Sequence, residues 1–231
     1  MGTRVTYEVA DSVAMVTMDD GKVNALGFDM LAELNEAFDR AEAENVGLIL
    51  AGRSGIFSAG FDLAVMKSAE MPRLLKAGFE LSYRMLSFRL PVVLACTGHT
   101  FAMGLFVTLS ADYRIGVAGA EHKIVANEVA IGMTMPQSAI ALCHHRLTDA
   151  YIDRVVGQAE LFNPDSAVEA GLLDEVVPSD VHLERVREKA VQLKNLDPAA
   201  FAGTKRRLHE KTLASLRAAI EADDAELGPS A

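Results

Sequence analysis

The stretch Ala95-Cys96-Thr97-Gly98-His99-Thr100-Phe101-Ala102-Met103-Gly104-Leu105-Phe106 constrains the fold more than any other part of the chain. The apolar run 92–96 enters it with the pattern of a buried strand, and a tight turn then opens a helix. Free backbone N–H groups at such a junction point at whatever lies in front of it. A second turn of the same build, Phe57-Ser58-Ala59-Gly60-Phe61-Asp62, follows the apolar run Gly47-Leu48-Ile49-Leu50-Ala51 and the loop Gly52-Arg53-Ser54-Gly55. Two such turns predict a pocket where two amides converge on one oxygen.

The rest of the chain alternates strands with helices. Val5, Tyr7, Val9 and then Val13, Met15, Thr17 alternate with polar residues about Asp11-Ser12, which predicts an opening β-hairpin. After the turn Asp19-Asp20-Gly21-Lys22, Leu31, Leu34, Phe38 and Ala41 mark one face of a first helix. Leu75, Phe79, Ser82 and Met85 predict a helix over 72–88, ended by Leu90-Pro91. A strand at 112–117 and an extended piece at 123–125 lead to Asn127-Glu128. Helices follow at 136–145 and 149–156; Asn163-Pro164-Asp165 caps another, closed by Gly171 before the apolar run 172–177. From 179 onward the pattern is helical, with a break at Asp197-Pro198 and a frayed tail at 228–231. The chain therefore reads as α/β, with a core over 1–178 and a helical C-terminal subdomain over 179–231 that shares an interface with it.

Composition removes several classes of function. The net charge of −10 argues against nucleic-acid binding, since only Lys205-Arg206-Arg207 with Lys211 form a basic cluster. No apolar run approaches the length of a membrane span. Two cysteines, Cys96 and Cys143, in apolar surroundings read as free thiols of a reducing compartment, and no His or Cys pair has metal-ligand spacing, so the expected setting is cytoplasmic and without a metal. Met1-Gly2-Thr3-Arg4 leads directly into strand residues without a signal-peptide pattern; Gly2 with Thr6 matches the loose myristoylation pattern, a motif short enough to recur by chance.

Four segments in order, Asn24-Ala25-Leu26, Phe57-Ser58-Ala59-Gly60-Phe61-Asp62-Leu63, Gly98 through Asp112-Tyr113-Arg114-Ile115, and Asn127-Glu128-Val129-Ala130-Ile131-Gly132, resemble those of the crotonase superfamily, the enoyl-CoA hydratases and isomerases. The resemblance implies a crotonase (ClpP-like) fold, a spiral of repeated ββα units with a helical C-terminal part that mediates homotrimers or hexamers. It implies an acyl-CoA thioester as substrate, in fatty-acid degradation, with no cofactor beyond the CoA the substrate carries. By position, the resemblance makes the Ala59 and Met103 amides the oxyanion hole. It places Asn24, Ala25, Leu26, Ser58, Gly60, Phe61, Asp62, Leu63, Gly104 and Phe106 around the substrate, and Lys205 and Arg206 near the CoA phosphates. Met103 stands where the family usually has glycine, so its side chain narrows the site. Asp62 also has the position of a helix cap.

Similar hydratases carry two glutamates, one on the helix after the oxyanion turn and one later; this chain has Phe106 at the first position and Glu128 at the second. Water addition uses both carboxylates, whereas moving a double bond needs one base that takes a proton from C2 and returns it to C4. A lone Glu128 between Val125 and Val129, facing Phe106, has apolar walls that raise its pKa toward neutrality. The pattern resembles the Δ3-Δ2-enoyl-CoA isomerases, with Glu128 as proton shuttle. A hydratase in which another group replaces the missing glutamate, and a non-catalytic acyl-CoA-binding protein, are the alternatives.

Overall fold

Asp11 and Ser12 both adopt positive φ, 50° and 60°, and close the opening hairpin between β1 (Val5–Ala10) and β2 (Val13–Met18). Helix α1 (Phe28–Glu44) buries Leu31, Leu34, Phe38 and Ala41, the expected face. The computed structural model describes residues 3–228; Gly2 of the lipidation pattern and the tail at 229–231 lie outside them.

Three successive turns of chain then repeat one plan. The first runs β3 (Gly47–Gly52), β4 (Gly55–Ser58), α2 (Leu63–Met66) and α3 (Met71–Ser87). The second runs β5 (Val92–Cys96), β6 (Gly98–Phe101) and α4 (Met103–Leu109). The third runs β7 (Tyr113–Val117), β8 (Ile124–Val125), a 3-10 turn (Val129–Ile131) and α5 (Gln137–Arg146). Each gives its first strand to one sheet and its second to another. The large sheet has the order β1-β2-β3-β5-β7-β9, closed by β9 (Glu175–Val177), and only the β1–β2 pair is antiparallel. The small sheet is the parallel set β4-β6-β8. The result is the expected ββα spiral.

The continuous apolar runs follow from burial on both faces of the large sheet. Leu48 and Leu50 of β3, with Val92, Leu94 and Cys96 of β5, face the main core. Ile49, Ala51, Val93 and Ala95 face the opposite way, onto Val186 and Ala190 of α8 (His182–Lys194). Helices α6 (Asp149–Val156) and α7 (Pro164–Ala170) fill the connection before β9, and a capping box at Asn163 and a left-handed Gly171 bound α7 as its sequence predicts. The last helix, α9 (Pro198–Leu227), lies against α3 and α5. Among the described residues no helix is long and apolar enough to cross a membrane.

The strands β4 and β6 depart from expectation, since their residues read as loop and turn. Each has four residues; β4 is defined by its pairing with β6, and β6 by its pairing with β4 on one side and β8 on the other. A strand that short leaves no periodicity in sequence.

Candidate active site

The two turns at the end of the small sheet are in contact. Gly60 has φ 89°, and a Cβ placed on it would lie 2.8 Å from Ala102 Cβ and 3.3 Å from the Met103 nitrogen. A Cβ on Gly104 would lie 2.9 Å from both Cβ and the carbonyl oxygen of Ser58. Only glycines let the chains approach this closely.

The Met103 amide, one of the two expected donors, is unsatisfied within its helix. Met103 opens α4, so its N–H has no intrahelical acceptor, and no side chain caps that end. Ala102 before it holds φ 49°, ψ −125°, outside the regions an L-residue prefers, and directs the helix start. The Ala59 amide, the other expected donor, is already bonded. The Ala59 amide is spent on the Val23 carbonyl at 2.9 Å, which removes Ala59 from the expected oxyanion hole. Leu26 N donates to Gly60 O at 2.8 Å and Asp62 N to Leu26 O at 3.3 Å, a parallel bridge that leaves the Phe61 N–H directed away from Leu26. Gly60 turns the chain between the two amides. Phe61 is bonded to Gly60, where a Cβ would lie 3.3 Å from the Met103 nitrogen, so the Phe61 and Met103 amides sit on adjoining turns.

Several residues expected around the substrate hold the scaffold instead. Asn24 is fully buried at φ 52°; its Nδ2 donates to the carbonyls of Met18 (3.0 Å) and Phe57 (3.1 Å), and its Oδ1 accepts from the Asp20 amide (3.1 Å). Ser58 Oγ donates to Asn24 O at 2.7 Å and accepts from Gly60 N at 3.1 Å. Leu26 is sealed in the core with both backbone groups used. Gly60 and Gly104 serve through close packing of the two turns. Asp62 caps α2 by accepting from Ala64 N at 2.8 Å and Val65 N at 3.3 Å. Asp62 and Ala25 do line an open cleft of about 470 Å³, with Lys22, Val23, Phe28 and Val65, while Leu63 is exposed on α2.

Phe106 is 1% exposed, with its ring 5.8 Å from that of Phe79. It is a core aromatic, not a wall open to substrate, and it puts an apolar ring where a second carboxylate was sought.

Glu128 is 6% exposed, and its Oε2 is inaccessible to solvent and without a hydrogen-bond partner. The small sheet places it: Ala102 N donates to Val125 O at 3.0 Å, which ties the start of α4 to the end of β8, three residues before Glu128. Burial raises its pKa to about 7, opposed by a hydrogen bond to its own amide, with no charged partner among the causes. The Oδ1 of Asn127 is likewise buried and unpaired. The Cys143 thiol is pushed up to about 12 by burial and then by the Glu128 charge, which marks the sulfur as a neighbour of the carboxylate. A buried carboxylate oxygen without a partner opposes folding and marks Glu128 as a candidate functional residue. Among the described residues no group of three or more metal-ligating side chains occurs.

The C-terminal basic residues divide. Lys205 is 6% exposed; its Nζ pairs with Asp112 Oδ2 at 2.7 Å and donates to Met85 O at 3.2 Å. Lys205 is thus a buried strut of α9, with no free charge for a phosphate. Arg206 lies exposed on the same helix. Sequence reasoning set Phe61 only around the substrate and did not single out its N–H, nor the buried, unpaired Asn127 Oδ1 or the Cys143 thiol near Glu128, because what marks these groups is contact with other segments.

Comparison with known proteins fits this geometry. A family model described as enoyl-CoA hydratase/isomerase matches residues 8–228. The structure superposes on an enoyl-CoA hydratase from Mycobacterium ulcerans with a TM-score of 0.93 at 43% identity, covering 98% of this chain and 100% of that one. It superposes equally on a Mycobacterium tuberculosis protein, with a TM-score of 0.93 at 41% identity, covering 96% of this chain and 98% of that one, a protein described in one structure as an enoyl-CoA isomerase and in another as a probable enoyl-CoA hydratase. Rat mitochondrial enoyl-CoA delta isomerase 1 is 29% identical over 229 residues, 95% of this chain and 78% of the rat protein.

Proposed function

The chain belongs to the enoyl-CoA hydratase/isomerase family, within the crotonase superfamily, and from that premise we propose that it shifts a double bond, converting 3-enoyl-CoA to 2-enoyl-CoA. The observation that carries this reading is the buried, unpaired carboxylate of Glu128, raised to about 7, on the strand end tied to the Met103 turn.

The thioester oxygen accepts from the Phe61 and Met103 amides. Two fixed donors stabilise negative charge as it develops there, and each is worth about 10²–10³ in rate. The Glu128 carboxylate takes a proton from C2, and the electrons of that C–H bond form C1=C2 while the carbonyl π pair moves onto the thioester oxygen; when this enolate collapses, C1=O reforms, the C1=C2 pair becomes C2=C3, and the C3=C4 pair takes the proton back from Glu128 as the new C–H bond at C4. The C2 proton leaves and one proton arrives at C4, so nothing is consumed, and CoA takes part only as the substrate's carrier. A base near neutrality suits both halves of the shuttle. The cleft beside Ala25 and Asp62 is where the reading lays the CoA portion, with Lys22 as the cation at its edge. Assembly as a homotrimer or a hexamer, and a cytoplasmic setting, belong to the same proposal.

Incubation with 3-hexenoyl-CoA and trans-2-hexenoyl-CoA tests it. Wild type is expected to isomerise the first, and Glu128→Gln to lose about 10²–10⁴ of that rate. Retention of full rate in Glu128→Gln removes Glu128 as the base. Water addition is the second reading, supported by the likeness to the M. ulcerans hydratase; faster hydration of the 2-enoyl thioester than isomerisation of the 3-enoyl one would establish it.

A further inference from the structure

Gly78 sits in the middle of α3, a 17-residue helix, where glycine is the poorest helix former after proline. Its position explains it. A Cβ there would lie 2.5 Å from both Cε1 and Cζ of Phe61 and 3.3 Å from Cε of Met103. The side chains of the two residues whose amides face the thioester oxygen thus meet the same bare patch of α3. Met103 is fully buried, whereas Phe61 keeps part of its surface open. With α3 behind it and Met103 beside it, the Phe61 ring has only its open side to move toward.

We propose that Gly78 sets the size of acyl group this site accepts, because its missing side chain lets the Phe61 ring and the Met103 methyl withdraw against α3 and out of the acyl path. The inference rests on the reading of Phe61 and Met103 as the thioester-oxygen donors. The far ends of the side chains attached to those two amides lie along the acyl path beyond the thioester, so their retreat decides how much chain passes. A methyl at position 78 sends the ring forward, since its far edge is the part that must shift. Short acyl groups end before the ring; long ones run alongside it.

The test is calorimetric binding of hexanoyl-CoA and dodecanoyl-CoA to the full chain, which needs no turnover. Gly78→Ala is expected to weaken dodecanoyl-CoA at least about tenfold more than hexanoyl-CoA, and the double variant Gly78→Ala with Phe61→Leu to restore the wild-type ratio. Equal loss for both ligands, no change in either, or failure of the double variant to restore the ratio overturns the inference. Should Gly78→Ala not fold, Phe61→Leu alone is expected to shift the ratio toward dodecanoyl-CoA, and an unchanged ratio is then the overturning result. Wild type that binds both ligands but isomerises neither 3-enoyl thioester removes the proposed reaction and leaves the Gly78 inference to the binding ratio. Wild type that binds neither removes both.

Discussion

At the scale of single residues, Glu128 ties activity and stability to the same proton. Its carboxyl ionises at about 7 in the folded protein, against 4.5 for an unburied glutamate. Between those values the native state holds a proton that the unfolded chain has released, so stability falls as pH rises from about 4.5 to about 7 and levels off above. The loss amounts to about 3 kcal/mol. Glu128→Gln is expected to be more stable than wild type at pH 8 by up to that amount, and equal to it near pH 4.5; urea midpoints across pH that run parallel in the two proteins would contradict this. In the proposed reaction the ionised form is the base, so kcat/KM for a 3-enoyl thioester is expected to rise with pH along a limb centred near 7. The burial of Glu128 and the rise in its pKa were legible in the sequence because they follow from the carboxylate itself and its apolar neighbours in the chain. Ala59 was not, because what disqualifies it is an acceptor on a distant segment, the Val23 carbonyl.

At the scale of elements, the start of α4 holds strain. Ala102 at φ 49°, ψ −125° occupies backbone space natural to glycine, at a cost of order 1–3 kcal/mol. Its strain is maintained by Ala102 N bonding to Val125 O and by the Gly60 turn packed against it. Ala102→Gly is expected to raise stability by about 1 kcal/mol after the entropy that glycine adds to the unfolded chain, a rise in melting temperature of about 2–4 °C. A lower melting temperature by calorimetry would show that the methyl packing outweighs the strain. The helix was foreseen, and so was the turn before it. The strand β6 that aims this turn was not, since its four residues become a strand only on pairing with β4 and β8.

At the scale of the whole molecule, α9 binds the layers around the site. Asp223 is 3% exposed and caps α5 from outside, accepting from Gln137 N and Ser138 N at 2.9 Å and from Ser138 Oγ at 2.6 Å. Lys76 pairs with Asp224 at 2.5 Å and Arg217 with Glu80, which fasten α9 to α3. Asp223→Ala leaves two helix-end amides and a hydroxyl without their acceptor and is expected to cost about 2 kcal/mol, with Asp223→Asn costing less; an unshifted urea midpoint would show that α9 contributes no cap. The exposed pairs add little by comparison, because solvent screens them.

The amino-acid order by itself determined the alternation of strands and helices, the faces each buries and the lone carboxylate, all of which depend on residue type and local spacing. Tertiary structure decided which amides stay free, that Lys205 is a strut held by Asp112, and that Asn24, Leu26 and Ser58 are scaffold. The reason is physical: whether a polar group is available depends on what satisfies it, and in this fold those partners come from segments far along the chain.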